Sequence, residues 1–162
     1  MVTVKTKQYT QLNEITMELY SGKIIKCDLH IEEKVLIKIG NDAIWCFISN
    51  SEVPIVEGVK YDFYIEYQIF NDYHVKLFDA DKFNQVVHNP FLQISDTFQY
   101  ELYGIFEGDR FKVGEITFLD PYLLSEFTVF EKQKICLSVD RLDLDIISIS
   151  QSTDINTCSG LI

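Results

Sequence analysis

The stretch SEVPIVEGVK (residues 51–60) returns later in the chain as SEFTVFEKQK (residues 125–134). The two stretches share two glutamates, a serine and a lysine at one fixed offset of 74 residues, the separation of Ser51 and Ser125. A segment that recurs with its spacing intact indicates an internal repeat, and a repeat determines how the rest of a chain is divided. We therefore analyse the sequence as two copies of one unit.

The match extends upstream and downstream at the same offset. IEEKVLIKIGN (residues 31–41) aligns without a gap on IFEGDRFKVGE (residues 105–115), which places Gly40 over Gly114. Downstream, YDFYIE (residues 61–66) aligns on ICLSVD (residues 135–140) with its apolar positions in phase. Alternating apolar positions are typical of β-strands, so the repeated unit is predicted to be a β unit.

The first copy shows five strand-like segments, at residues 23–31, 35–39, 43–49, 59–69 and 73–78. Gly40-Asn41-Asp42 is a hairpin signal between the second and third segments. The fourth segment alternates most clearly, with Tyr61, Phe63 and Ile65 on one face. Short strands with a crossing segment between the third and fourth are typical of a small closed barrel of the OB or SH3-like kind.

A short helix is predicted between the copies, capped by Asp79 or Asp81 and ended by Pro90. The second copy has strand-like segments at residues 98–103, 110–113, 115–119, 134–139 and 144–149. Two changes in the phase of its apolar positions predict β-bulges at Gly104 and near Asp140 and Arg141.

The fold predicted from these patterns is all-β, with two tandem, duplicated five-stranded small-barrel units, OB-like or SH3-like, and one short connecting helix. A single β-sandwich is the alternative. The first unit spans residues 1–78, the connecting segment 79–94, the second unit 95–150 and a polar tail 151–162.

The charge of the chain limits its partners. Lys and Arg total 14 against 25 Asp and Glu, which gives a net charge of −11. Phosphate backbones are repelled by such a chain unless its basic residues are clustered, and the sequence shows no such cluster. We therefore expect a basic protein partner rather than nucleic acid. The oligomeric state is not determined by the sequence.

Targeting signals and metal-binding motifs are not apparent in the sequence. The N-terminus lacks the apolar region of a signal peptide and no segment reaches the length of a membrane span, so we expect a cytoplasmic protein without membrane contact. The four cysteines have no CxxC spacing, and Cys27, Cys46 and Cys136, which lie in apolar strand-like segments, are expected to be core thiols. His30 and His74 are expected to be surface residues, and we expect no cofactor and no bound metal.

No glycine-rich phosphate loop and no hydrolase motif is present, so we expect no enzyme activity. Our hypothesis is an acidic protein-binding module, such as an inhibitor or immunity-type protein that masks a basic partner like a nuclease toxin. The alternatives are an OB-like nucleic-acid or small-ligand binding protein and an enzyme whose carboxylate site is dispersed in sequence. The residues expected to contact the partner are Tyr64, Glu66, Asp72, Asp79, Asp81, Asp143 and Asp145.

Overall fold

A computed structural model describes residues 17–86 and 88–151 of the chain. The predicted polar tail lies outside the described residues except for its first residue. The described part contains the strands β1 (Tyr20–Cys27), β2 (Lys34–Ile39), β3 (Asp42–Ser51), β4 (Lys60–Gln68), β5 (His74–Leu77), β6 (Phe91–Gln93), β7 (Tyr100–Glu107), β8 (Arg110–Val113), β9 (Ile116–Leu119), β10 (Lys134–Val139) and β11 (Arg141–Ile149). The helices are α1 (Ala80–Val86) and α2 (Pro121–Glu126), followed by a 3₁₀ turn at Thr128–Phe130.

The first sheet contains five strands in the order β1-β2-β3-β11-β4. Strand β4 also pairs antiparallel with β1, so the strand pairings run round a closed ring. Strands β3 and β11 are parallel, and the other pairs of this sheet are antiparallel. The hairpin between β2 and β3 turns at Gly40, as its sequence predicts, with a φ of 58°.

The second sheet contains six strands, and its main order is β5-β10-β7-β8-β9. Strand β6 pairs with the first residues of β7, where Phe91 lies opposite Leu102. All pairs in this sheet are antiparallel. Helix α1 packs on the outer face of this sheet, where its Val86 forms a small apolar cluster with Tyr103 and Cys136.

The prediction of a predominantly β protein with few helices is confirmed. The arrangement as two tandem small barrels is not confirmed, because each sheet takes a strand from the far side of the predicted boundary. Strand β11 lies between β3 and β4 of the first sheet, and β5 pairs with β10 of the second. The division of the chain at residues 79–94 stays a prediction. Strand pairs connect the parts of the chain before and after this segment in both sheets.

The two predicted β-bulges are wrong. Strand β7 keeps a continuous register through Gly104 against β10. Strand β10 ends at Val139 and β11 begins at Arg141, so the phase change there marks the passage of the chain from one sheet to the other. When the chain passes from one sheet to the other, the core comes to lie on the opposite side of the strand. This explains why the apolar positions shift by one.

One hydrophobic core joins the two sheets. Its buried side chains include Ile37, Phe63 and Leu144 of the first sheet and Phe106, Phe111 and Leu137 of the second. All six are fully buried. Because these residues form a single cluster, the sheets share one interior.

Gly58 and Lys132, which are 74 residues apart, make similar backbone contacts with two residues that are 82 residues apart. Gly58 and Lys132 both have positive φ angles, 85° and 63°. The Gly58 N–H donates to the Ile24 carbonyl (2.7 Å), and the Lys132 N–H donates to the Phe106 carbonyl (2.6 Å). In return, the Ile24 N–H donates to the carbonyl of Val59, the residue after Gly58 (3.0 Å). The Phe106 N–H donates to the carbonyl of Gln133, the residue after Lys132 (3.4 Å). The segments before β4 and β10 therefore have the same kind of local connection, to β1 and to β7 respectively.

The turn at Gly40 lies against the hairpin of β8 and β9, and the turn at Gly114 lies against the hairpin of β2 and β3. Both glycines have a φ of 58°, in the left-handed region that favours glycine. A Cβ on Gly40 would lie 1.6 Å from Glu115 Oε2, and a Cβ on Gly114 would lie 3.4 Å from Asp42 Oδ2. Each turn therefore packs close to an acidic residue of the other hairpin.

Candidate partner-binding surface

Four of the predicted contact residues lie on the adjacent strands β4 and β11. Tyr64 lies opposite Asp145, and Glu66 lies opposite Asp143. Successive residues of a strand point to opposite sides of the sheet. Because Phe63 and Ile65 fill the core side of β4, these side chains share the outer face. The sequence alternation therefore placed these residues on a common surface.

We call the outward residues Asp62, Tyr64, Glu66 and Asp145 the acidic strip. All four are half-buried. Asp62 accepts a hydrogen bond from Ser21 Oγ (2.5 Å), and Asp145 accepts one from Asn50 Nδ2 (2.9 Å). Partners from neighbouring strands thus hold two of the carboxylates in position.

Tyr64 lies among these carboxylates. Burial, together with the charge of Asp145, raises the pKa of the Tyr64 hydroxyl. The hydroxyl is therefore protonated at neutral pH and available as a hydrogen-bond donor, while the ring gives the strip an apolar centre.

Asp143 is a structural residue rather than an exposed carboxylate. Its side chain is 3% exposed, and the Arg141 guanidinium donates to both of its oxygens at 2.6 and 3.0 Å. The same guanidinium stacks 3.9 Å from the Phe47 ring centroid and 5.3 Å from that of Phe70. A planar guanidinium suits both bidentate pairing and aromatic stacking, so the charge of Asp143 is neutralised within the protein. We leave Asp143 out of the acidic strip.

A cavity of about 350 Å³ adjoins the end of the acidic strip. It lies next to the Gln68 and Arg141 pair that ends the pairing of β4 with β11. Its lining includes the acidic residues Asp72, Glu101 and Asp140, together with His74 and Tyr100. Asp140 also accepts a hydrogen bond from the Phe70 N–H (2.7 Å). Asp72, in the turn after β4, therefore lies close to the β4–β11 surface.

Asp79 and Asp81 lie elsewhere, at the start of α1 on the second sheet. Asp79 Oδ1 accepts a hydrogen bond from the Lys82 N–H (2.9 Å), which is the role of a helix cap. Asp81 is exposed in the first turn, where a negative charge interacts favourably with the helix dipole. No contact joins either residue to the acidic strip within the described part of the chain.

Sequence reasoning missed Asp62, Glu101 and Asp140 as members of this surface. Asp62 carries the same alternation signal as Tyr64 and could have been found from it. Glu101 and Asp140 lie on parts of the second unit whose approach to β5 depends on long-range pairing, which periodicity does not reveal.

The comparison with protein families identifies the chain. The model of the family described as "Uncharacterised conserved protein UCP019853" matches residues 17–147, which is more than half of the chain. The chain belongs to this family. The matched range contains the acidic strip and the residues that line the cavity. No curated protein and no solved structure matches the chain.

Metal-binding clusters are not found in the part of this family member that the structure describes. Among residues 17–86 and 88–151, no group of three or more His, Cys, Asp and Glu side chains could hold a metal ion. No helix in the same residues is long and apolar enough to cross a membrane. The thiols of Cys27, Cys46 and Cys136 are free, and Cys46 and Cys136 are buried as expected of core thiols. Cys158 lies outside the described residues.

Proposed function

We propose that this protein is a non-enzymatic binding module that docks a basic protein on the acidic strip. The observation that carries the proposal is the position of Tyr64 between carboxylates on two adjacent strands. Rigid strands hold these side chains, and the net charge of −11 attracts a positively charged partner. The carboxylates would increase the association rate, while Tyr64 would supply an anchor of the kind enriched in binding hot spots.

The most concrete form of the proposal is an inhibitor or immunity-type protein of the cytoplasm. A nuclease toxin carries a basic active site because it must bind phosphate backbones. An acidic surface with a central tyrosine could cover such a site and exclude the substrate. The Asp62, Glu66 and Asp145 carboxylates would then occupy the positions of phosphates.

The test is affinity capture from the source cell over a range of salt concentrations, followed by binding measurements with the purified partner. We expect the protein to capture a basic protein at low salt and to release it at high salt, since salt screens exposed charges. Tyr64→Ala is expected to weaken binding by about 2 kcal/mol, the size of a hot-spot loss. A triple variant, Asp62→Asn with Glu66→Gln and Asp145→Asn, is expected to slow association.

The matched control neutralises three exposed carboxylates outside β4 and β11, namely Glu32, Asp96 and Glu126. It changes the net charge equally, so it separates the acidic strip from the overall charge. Equal loss of binding in the control and the triple variant would contradict docking on the strip. Capture of nucleic acid instead of a basic protein would contradict the proposed function.

The cavity supports a second candidate, the binding of a small cationic molecule. Its volume of about 350 Å³ is at the lower end of ligand pockets, which are typically about 300–1,000 Å³. Carboxylates of Asp72, Glu101 and Asp140 would attract a cation. A rise in melting temperature with a small polyamine, abolished by Asp140→Asn and unchanged in the strip variant, would favour this candidate.

We also infer that the two sheets derive from one duplicated unit whose fifth strands have been exchanged. Strand β4 pairs with β1 as β10 pairs with β7, and the fifth strands β5 and β11 each join the other unit. Glu57 and Glu131, equivalent at the 74-residue offset, both accept a backbone hydrogen bond, from Cys27 (2.8 Å) and from Gly108 (3.3 Å). Reciprocal exchange of strands is the kind of event that joins two copies into one compact body.

A further inference from the structure

A second cavity, of about 220 Å³, lies on the outer face of the second sheet. It opens between α1 and the strands β7 and β8, and no residue of β4 or β11 lines it. Apolar side chains dominate its lining. The lining includes Phe78, Phe83, Tyr103, Ile105 and Lys112.

Aromatic rings form the wall of this cavity on the side of α1. The Phe78 ring stacks on Phe83 at 6.2 Å and meets Tyr103 edge-on at 5.2 Å, measured between ring centroids. Ile105, opposite the helix, remains 40% exposed. The cavity is therefore a preformed apolar recess whose interior reaches solvent.

Three lysines surround the recess. Lys134, Ile105 and Lys112 are neighbours across β10, β7 and β8, so both lysines flank the exposed isoleucine. The Lys134 ammonium lies 4.5 Å from the Phe83 ring centroid, and the Lys82 ammonium lies 5.3 Å from that of Tyr103. The sequence showed no cluster of basic residues, but the fold gathers these three at one site.

The three ammonium groups have no ionic partner in the part of the chain that the structure describes. Among residues 17–86 and 88–151, no carboxylate oxygen lies within 4.0 Å of Lys82, Lys112 or Lys134, whereas Lys76 pairs with Glu101 at 3.8 Å. Aromatic faces hold Lys82 and Lys134 at the rim by cation–π attraction. In a chain of net charge −11, this rim is a local positive site.

We propose that the recess binds a medium-chain fatty carboxylate. The alkyl chain would fill the apolar recess, and the carboxylate would lie among the ammonium groups of Lys82, Lys112 and Lys134. The cavity volume of 220 Å³ is below the range of about 300–1,000 Å³ that suits drug-sized ligands, so a chain of medium length fits better than a long one. This ligand has the opposite charge to the partner of the acidic strip, and the two sites share no residue.

The first test is an NMR titration of the full chain with octanoate. We expect the amide signals of Phe83, Tyr103 and Ile105 to shift. Octanol has the same apolar body without the charge, and acetate has the charge without the body. Octanoate is expected to bind about tenfold more tightly than octanol, a difference of about 1.4 kcal/mol that two or more ammonium contacts would supply. It is also expected to bind at least about tenfold more tightly than acetate, which leaves the apolar recess unfilled. Equal binding of octanol, or shifts confined to other residues, would overturn the proposal.

The second test uses substitutions of exposed lysines, which leave the core intact. Lys112→Gln with Lys134→Gln is expected to weaken octanoate binding by about tenfold, to the level of octanol. The matched control is Lys23→Gln with Lys60→Gln, an exposed pair of facing lysines on β1 and β4. The control should bind as the unmodified protein does. If both double variants lose the same affinity, the attraction is a property of overall charge and not of this recess.

Discussion

Asp120 shows how one residue can organise distant parts of this fold. Its carboxylate is 5% exposed and caps α2, because Oδ1 accepts hydrogen bonds from the N–H groups of Tyr122 (3.0 Å) and Leu123 (3.2 Å). Its Oδ2 accepts from the hydroxyls of Tyr73 (3.0 Å) and Tyr67. The Asp-Pro sequence at the helix start is a capping signal that sequence reasoning overlooked. The two tyrosine partners are too distant in sequence to be inferred.

The Tyr67 hydroxyl leads to a prediction about alkaline stability. Burial, with the adjacent Asp120, raises the pKa of Tyr67 well above its ordinary value. The unfolded state releases this proton above a pH of about 10 while the folded state keeps it, so stability is complete below that pH and declines above it. By pH 11 Tyr67 is expected to account for at most about 1.4 kcal/mol of the loss.

Urea unfolding between pH 8 and pH 11 measures this effect. In Tyr67→Phe the free energy of unfolding should fall less steeply with pH than in the unmodified protein. Tyr122→Phe is the control, since the Tyr122 side chain is exposed and only its backbone N–H contacts Asp120. Parallel pH profiles for the unmodified protein and Tyr67→Phe would refute the assignment.

At the scale of elements, local patterns predicted more than long-range ones. The strict alternation of β4 and the glycine turn at Gly40 were sufficient to predict their elements, because periodicity and turn chemistry are local. The short strand β6 was missed because three residues carry no period. Helix α2 was missed because it has six residues and lies inside the repeat, where we expected a crossing segment.

The contact between the two hairpin turns leads to a second prediction. Burial, together with the charge of Glu115, raises the pKa of Asp42. The folded state therefore binds a proton more readily than the unfolded state does, and this contribution to stability is lost as pH rises above about 3.9, the ordinary value for aspartate. At neutral pH the two carboxylates repel each other.

Glu115→Gln is therefore expected to stabilise the protein at pH 7 by less than about 1 kcal/mol, because solvent screens partly exposed charges. At pH 3 the gain should vanish. Thermal unfolding of the variant at both pH values measures the difference. Glu32→Gln, an exposed carboxylate in the turn after β1, controls for the change in net charge. Destabilisation by Glu115→Gln at pH 7 would show that the contact is not repulsive.

At the scale of the whole molecule, strand alternation indicates which face a residue occupies but not which strand lies beside it. The sequence therefore predicted the outward direction of Tyr64, Glu66 and Asp145 but not the burial of Asp143, which depends on Phe47 and Phe70 from other elements. The pairing of β5 with β10, and of β11 with β3 and β4, was equally hidden. Pairing of a strand near the C-terminus with β3 is a long-range contact that no local signal encodes.

The shared core predicts that the molecule unfolds as one unit. Phe106 belongs to the second sheet, is fully buried and lies in the cluster that joins both sheets, so Phe106→Ala should cost about 3–5 kcal/mol. Trp45, the single tryptophan, is in β3 of the first sheet and reports on that sheet by fluorescence. We expect the urea transitions of Trp45 fluorescence and far-ultraviolet circular dichroism to move together, since one cooperative transition has one midpoint.

Exposed Glu107→Ala, on the same strand as Phe106, should change the free energy of unfolding by no more than about 0.5 kcal/mol. A Trp45 transition that stays in place while the dichroism shifts would show instead that the two sheets unfold separately, despite the pairing of β5 with β10 and of β11 with β4.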